Sequence, residues 1–332
     1  MKKNRKSLII ALCLIAIIIV AVLWYNFKPD TGAEKTAEKI TIGMVTFPGY
    51  APLYLAKEKK LFKNVNVELV RIESIGDLRA AMHSNKIDMY IATPDIFQST
   101  QNQKPPGVGF LAIDESSGAD GIAVLEGVNS LSDLRGKTLG AEPGFPPYFI
   151  LQYMLNREGM TLNDINFKDI SSQDAGNAFV AGQLEAVGTY EPYLSKSVNL
   201  RKGARVFVSS ADLQGLIVDV IFSNNELAEK KPQVLKAVRD GWYRALEFYR
   251  NNPDEGMEIM AKAFGISKEE MIDIKSGLKW LDASDNKSLF DQSKKTNLYT
   301  NFNLVGEILE KNNANGFRVY AKDKLIDAII RN

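Results

Sequence analysis

The chain has 332 residues, 45% of them apolar and 24% charged, with a formal net charge of +1; this is globular composition with material for two cores, not that of a disordered or fibrous chain. Residues 1–30 carry a net +4, so the remainder stands at −3, and a slightly acidic body has no electrostatic footprint for nucleic acid. Cys13 is the only cysteine, which excludes a disulfide framework and a cysteine-built metal site.

Between Ser7 and Phe27 no residue is charged, and Lys2, Lys3, Arg5 and Lys6 precede that run. A basic start before an apolar run is an export signal; about 20 apolar residues can span a bilayer, whereas a cleavable signal has a core of roughly 7–15. Residues 1–27 are expected to form a retained anchor that meets the membrane through residues 7–27, with cleavage near Thr31-Gly32-Ala33 as the alternative. Leu12 stands where a lipoprotein site needs a small residue, and the apolar run continues past Cys13 to Trp24, which argues against lipidation. The positive-inside rule puts everything after Phe27 outside the cytoplasm. Residues 28–39 read as a polar tether.

From residue 40 onward, short apolar runs alternate with helical patterns, the mark of βαβ units and parallel sheets. Strands are expected at Ile40–Val45, Val65–Ile72 and Asp88–Ala92, with helices at Ala51–Phe62 and Asp77–Ser84. The order then returns: strand Thr138–Ala141, helix Tyr148–Arg157, strand Ile165–Ile170, helix Ala175–Ala181, strand Glu185–Gly188. Gly43 maps to Gly140, and Lys86-Ile87-Asp88 to Gln183-Leu184-Glu185, each 97 residues on, so the body reads as two copies of one unit. Ala204–Val208 and Leu216–Phe222 read as further strands, and the remainder from Asn224 as helical, with Pro232 and Pro253 near helix starts.

Two α/β lobes make a cleft, and ligands of open α/β sheets collect beyond the carboxyl ends of the strands. Those ends are Thr46–Tyr50, Thr93–Phe97, Asp114–Gly121, Glu142–Tyr148, Thr189–Tyr193 and the strand around Asp219. They contain no Lys, Arg or His, yet hold Asp95, Asp114, Glu115, Asp120, Glu142, Glu191 and Asp219. Such a bias points to a positively charged ligand group, because like charges in a desolvated cleft are costly.

Several runs resemble the nitrate/sulfonate/taurine-type solute-binding proteins of ABC importers, a group that also includes pyrimidine-precursor binders. They are Phe47-Pro48-Gly49-Tyr50-Ala51-Pro52-Leu53, Ala92-Thr93-Pro94-Asp95, Gly118-Ala119-Asp120-Gly121, Ala181-Gly182-Gln183-Leu184-Glu185, Glu191-Pro192-Tyr193 and Ile217-Val218-Asp219-Val220. The resemblance implies a two-lobed α/β periplasmic-binding-protein fold of type II, two βαβ lobes joined by a hinge and followed by C-terminal helices. It further implies lobe 1 at 40–121, lobe 2 at 122–221, a return of 222–332 to lobe 1, and a monomer that takes no cofactor. Its partners would be a small ligand and an ABC permease with its cytoplasmic ATPase.

The candidate ligand-binding residues are Phe47, Gly49, Tyr50, Thr93, Asp120, Gly144, Phe145, Tyr148, Glu191 and Asp219. Phe47 and Tyr50 flank a glycine that lets backbone approach a ligand. Gly144, Phe145 and Tyr148 open a helix whose amides could hold a polar group. Thr93 offers a hydroxyl or caps a helix; Glu191 points inward or caps one; Asp219 interrupts an apolar strand and needs a partner. Asp120, beside glycines, fits a turn. The lone His83 reads as solvated. The chain lacks Gly-x-Ser-x-Gly, His-Glu-x-x-His and Gly-x4-Gly-Lys-Ser/Thr motifs. A pyrimidine-precursor-type enzyme or a sensor ectodomain are the other readings of the same fold. The ligand is expected to be a cationic or zwitterionic nitrogen compound, with a sulfonate as the alternative the resemblance brings.

Overall fold

The structure is a computed structural model that describes residues 37–98, 107–312 and 325. The expected anchor, Cys13 and residues 28–36 of the expected tether lie outside them. The described residues from Lys39 onward form one compact unit. Among the described residues no helix is long and apolar enough to cross a membrane.

The first βαβ unit consists of β1 (Glu38–Met44), α1 (Ala51–Glu58), β2 (Val65–Arg71), α2 (Ile75–His83), β3 (Met89–Ala92) and the short α3 (Pro94–Gln98). Then come β4 (Val108–Ser116) and β5 (Asp120–Leu125). The second unit consists of β6 (Thr138–Ala141), α4 (Pro146–Arg157), β7 (Asn166–Asp169), α5 (Ser172–Val180), β8 (Ala186–Tyr190) and α6 (Tyr193–Leu200). It leads into β9 (Ala204–Ser209) and β10 (Val218–Ser223).

The 97-residue offset recurs in the hydrogen bonding. The Thr41 amide donates to Asp88 Oδ2 at 2.8 Å, and the Thr138 amide to Glu185 Oε2 at 2.8 Å. Parallel pairing sets Ile42 beside Met89 and Leu139 beside Ala186. Ser74 caps α2 by accepting from the Asp77 amide, as Ser171 caps α5 by accepting from the Asp174 amide. The glycines have one cause: a Cβ on Gly43 would lie 2.6 Å from Ile87 Cδ1, and one on Gly140 2.7 Å from Leu184 Cδ1. Each unit lays the side chain before its third strand across the first strand, where a glycine leaves it room.

The strands form two sheets, in the orders β11-β4-β10-β3-β1-β2 and β7-β6-β8-β5-β9, with β11 at Leu278–Trp280. Neither is wholly parallel, contrary to the sequence expectation: β10 runs antiparallel to both β3 and β4, and β5 antiparallel to β8 and β9. The cause is topological, since the chain leaves one sheet at β4, returns to it at β10 and must run the opposite way. β11 also departs from the expectation of helix alone after Asn224; it adds to the exposed edge of β4.

The chain therefore passes between the sheets twice, at 117–119 and 210–217. Ser210 braces both passages, with its hydroxyl 2.7 Å from that of Ser116 and accepting from the Gly118 amide at 2.8 Å. Glu115 Oε1 accepts from the Gly215 amide at 2.6 Å. After β10 come α7 (Asn225–Lys230), α8 (Pro232–Asn251), α9 (Pro253–Phe264), α10 (Lys268–Lys275), α11 (Ala283–Leu289) and α12 (Leu298–Asn312). Proline at the first helical position starts α8 and α9, and Gly265 in a left-handed conformation (φ 68°) ends α9. Val234, Leu235, Val238, Trp242 and Leu246 give α8 an apolar stripe that joins the core of the first sheet. Trp242 is fully buried and its indole N–H donates to the Leu281 carbonyl at 2.9 Å. α12 joins two cores: Leu298, Tyr299 and Phe302 belong to that of the first sheet, Val305, Ile308 and Leu309 to that of the second.

Candidate functional site

A narrow cavity of about 20 Å³ lies between the two sheets. Val45, Phe47, Tyr50, Ile96 and Asp219 wall it from the first sheet and its loops; Asp120, Phe145, Pro146 and Tyr190 wall it from the second. Four of these are aromatic and two are acids; no lining residue is basic. Phe145 and Tyr190 stack with centroids 5.9 Å apart and planes at 16°. Phe47 meets Tyr50 edge-on at 5.4 Å and reaches across the cleft to Tyr190 at 6.1 Å.

Register places the acids. Asp219 on β10 is the cross-strand partner of Asp114 on β4, and like charges directly opposite are destabilising. Both are buried. The Tyr50 hydroxyl donates to Asp219 Oδ1 at 2.7 Å, while neither Asp114 oxygen has a hydrogen-bond donor. Burial first, and then the Asp219 charge, pushes the Asp114 carboxyl well above the usual range; burial raises Asp219 also, against the opposing Asp114 and Tyr50 hydrogen bonds. A carboxyl pair in that state holds a shared proton unless a cation replaces it.

Asp120 starts β5 opposite Tyr190 on β8. Burial pushes its carboxyl up to about 8, with a hydrogen bond from Ser116 opposing and the Asp219, Asp95 and Glu191 charges adding. Asp95, in the first turn of α3, is pushed by burial up to about 7 against a hydrogen bond from Thr93. Tyr50 is raised by burial and by the charges of Asp219, Asp114 and Asp120. The carboxyls of the cleft are thus poised to titrate, a property that marks functional sites. Among the described residues no group of His, Cys, Asp and Glu is placed to hold a metal ion.

Gly49 supports this arrangement from behind. A Cβ on it would fall inside the Asp114 carboxylate, and so short a side chain in a sheet cannot swing clear. Gly49→Ala is expected to destabilise the protein by about 1–3 kcal/mol, the range for overpacking. An unchanged urea midpoint would remove this packing claim.

Of the residues singled out in the sequence, Phe47, Tyr50, Asp120, Phe145 and Asp219 line the cavity. Asp120 stands in the wall, not only in a turn. Thr93 is buried, and its hydroxyl faces the Asp95 carboxyl and not the cavity wall. Gly144 serves the turn before α4 with φ 85°. Tyr148 is directed at Phe167, ring centroids 5.3 Å apart, outside the wall. Glu191 takes the helix-start role: Oε1 accepts from the Ser195 hydroxyl at 2.6 Å and Oε2 from the Ser195 amide at 3.3 Å. Glu142 likewise accepts from the Ser172 amide at 2.8 Å.

The expectation of free helix-start amides around Gly144, Phe145 and Tyr148 needs correction. Pro146 and Pro147 open α4 and carry no N–H, the Phe145 amide donates to the Glu142 carbonyl, and the Tyr148 amide to the Phe145 carbonyl. Proline also opens the 3-10 turn Pro48–Tyr50 and α3. Tyr190 is the residue sequence reasoning missed. It adjoins Glu191, and strand alternation puts it opposite Asp120, but an aromatic in a strand reads as core.

A family model described as NMT1/THI5 like matches residues 48–256. A protein of Brucella abortus (strain 2308), provisionally assigned as a binding protein, is 23% identical over 163 residues, 48% of this chain and 51% of the relative. YtlA of Bacillus subtilis (strain 168), with the same provisional assignment, is 30% identical over 172 residues, 49% of this chain and 51% of YtlA. The chain spans about half the length of these curated relatives. The periplasmic aliphatic sulphonate binding protein SsuA from Escherichia coli superposes with a TM-score of 0.72 at 18% identity, over 87% of this chain and 92% of SsuA. That likeness establishes the two-lobed periplasmic-binding-protein fold, and the family match, over more than half the chain, establishes kinship: the chain belongs to the NMT1/THI5-like family.

Proposed function

We propose that the chain is the extracytoplasmic substrate-binding component of an ABC importer. It captures a small, positively charged or zwitterionic nitrogen compound between its lobes and delivers it to a permease driven by a cytoplasmic ATPase. The reading rests on one observation above others: the interlobe cavity combines four aromatic rings with Asp120 and Asp219 and has no basic residue in its wall. Aromatic faces and carboxylates attract cations by the ring quadrupole and by charge. The names of the relatives favour a receptor over an enzyme, and that of SsuA a periplasmic one. SsuA is named for sulphonates; the acidic wall argues for the opposite charge here. Attachment by residues 7–27 belongs to the proposal as well.

Lobe closure gives the test. Phe47 and Tyr190 touch across the cleft, so a ligand held among them ties the lobes together. Full-length protein in detergent, screened by thermal shift against small amines, amidines, sulfonates and pyrimidines, should gain roughly 2.7 kcal/mol from a ligand at 100 times its Kd. Stabilisation by nitrogen cations supports the reading. Stabilisation by a simple anion alone, unaffected by substitution of Asp120 and Asp219, contradicts it.

A further inference from the structure

We infer that the ligand of the cleft is a compact cation that carries N–H groups and no anionic group. The inference rests on the receptor reading and narrows it, because a zwitterion or a sulfonate needs a partner for its negative end. Of the two usual partners, basic side chains are absent from the cavity wall and helix-start amides are few. No Lys, Arg or His stands in its wall. Arg79 lies behind it, donating to the Ile96 carbonyl at 2.6 Å and acting on Asp95. The helix starts around it open with Pro48, Pro94 and the Pro146-Pro147 pair, which removes their first amides, and the Tyr50, Ala51, Phe145 and Tyr148 amides go to backbone carbonyls.

An anionic group directed out through the mouth fares no better. Burial first, and then the charges of Glu142 and Glu73, raise the Tyr190 hydroxyl of the cavity wall, so both carboxylates act on that wall. Both are held in place, Glu73 by the Thr46 amide at 3.0 Å and Glu142 by the Ser172 amide at 2.8 Å. A negative group thus meets like charge beside Tyr190 and desolvation within.

The N–H requirement follows from the acceptors. Asp120 and Asp219, both buried, put carboxylate acceptors into the wall itself, and Asp219 Oδ1 already accepts from one hydroxyl, that of Tyr50. Buried acceptors want hydrogen-bond donors, which a permethylated ammonium lacks. The free space between the walls is about 20 Å³, that of one water-sized group, so a compact cation is the one admitted with least parting of the lobes.

Calorimetric titration of the full-length chain in detergent with matched probes tests this. Methylammonium is paired with glycine, ethylammonium with taurine; acetamidinium, tetramethylammonium and ethanesulfonate complete the set. At least one N–H cation should bind 100-fold or more tighter than glycine and taurine, and tetramethylammonium at least tenfold weaker than that cation. Glycine, taurine or ethanesulfonate binding within tenfold of the best cation overturns the inference, as does failure of all three N–H cations. Asp120→Asn and Asp219→Asn, checked by circular dichroism, separate the two levels. A zwitterion whose binding these variants weaken removes the inference and leaves the receptor site standing. A probe that binds both variants as well as wild type removes the site itself.

Discussion

Asp219→Asn should lower the affinity for a cationic ligand thirtyfold or more, about 2 kcal/mol, while raising the melting temperature of the ligand-free protein at pH 8. The two signs have one cause. Asp219 lies opposite Asp114 in the β10–β4 register, both are buried, and no basic group among the described residues compensates them. Removing one carboxyl relieves a like-charge pair that the ligand-free fold must otherwise protonate, and each unit of raised pKa so relieved is worth about 1.4 kcal/mol. The Tyr50 hydroxyl, 2.7 Å from Asp219 Oδ1, can donate equally to the asparagine carbonyl. A carboxyl present only to brace the fold would give the reverse pattern, lower stability with unaltered affinity. Titration calorimetry and thermal denaturation of the same variant distinguish them.

The second large effect is on pH. Asp95 at about 7 and Asp120 at about 8 lie above the ordinary carboxyl value of 3.8 that they regain on unfolding. The folded state therefore binds more protons than the unfolded state between these limits. The stability contributed by these groups is fully present below about pH 4 and is lost as pH rises towards about 8. Ligand binding runs the other way: a cation needs the ionised carboxyls, so affinity should rise between pH 5.5 and 8, by up to about tenfold per unit for each proton released. Melting curves and Kd values across that range check both trends. Affinity flat from pH 5.5 to 8, or ligand-free stability greatest at pH 8, would contradict the assignment of Asp95 and Asp120.

The offset of 97 residues was legible because a local device repeats with it. An acid just before the third strand holds an amide of the first, Asp88 for Thr41 and Glu185 for Thr138, and a glycine admits the apolar side chain just before that acid. Strand direction is not local in this way. Nothing within Val218–Ser223 says that the strand enters its sheet reversed; that follows from the two crossings. Val108–Ser116 is buried along most of its length and so has no alternation to read, and β11 has three residues, too few for a period. At the site, Phe47, Tyr50, Phe145 and Asp219 were readable as loop aromatics after strands and a lone acid in an apolar run. Glu191 was ambiguous because a carboxyl at a helix start serves a ligand or its own helix, and Ser195 one turn on decides for the helix. The fit of Gly49 against Asp114 joins residues 65 positions apart and has no sequence signature.

The most direct measurement is a crystal structure of the protein with the tightest-binding cation from the matched series. The account places the cationic group in the interlobe cavity, within about 3 Å of a carboxylate oxygen of Asp120 or Asp219 and about 6 Å from the ring centre of Phe47, Tyr50, Phe145 or Tyr190. Density for the cation elsewhere would contradict it, above all in the polar pocket of about 380 Å³ that Arg157, Asp212, Lys295 and Asn301 line beside the start of α12.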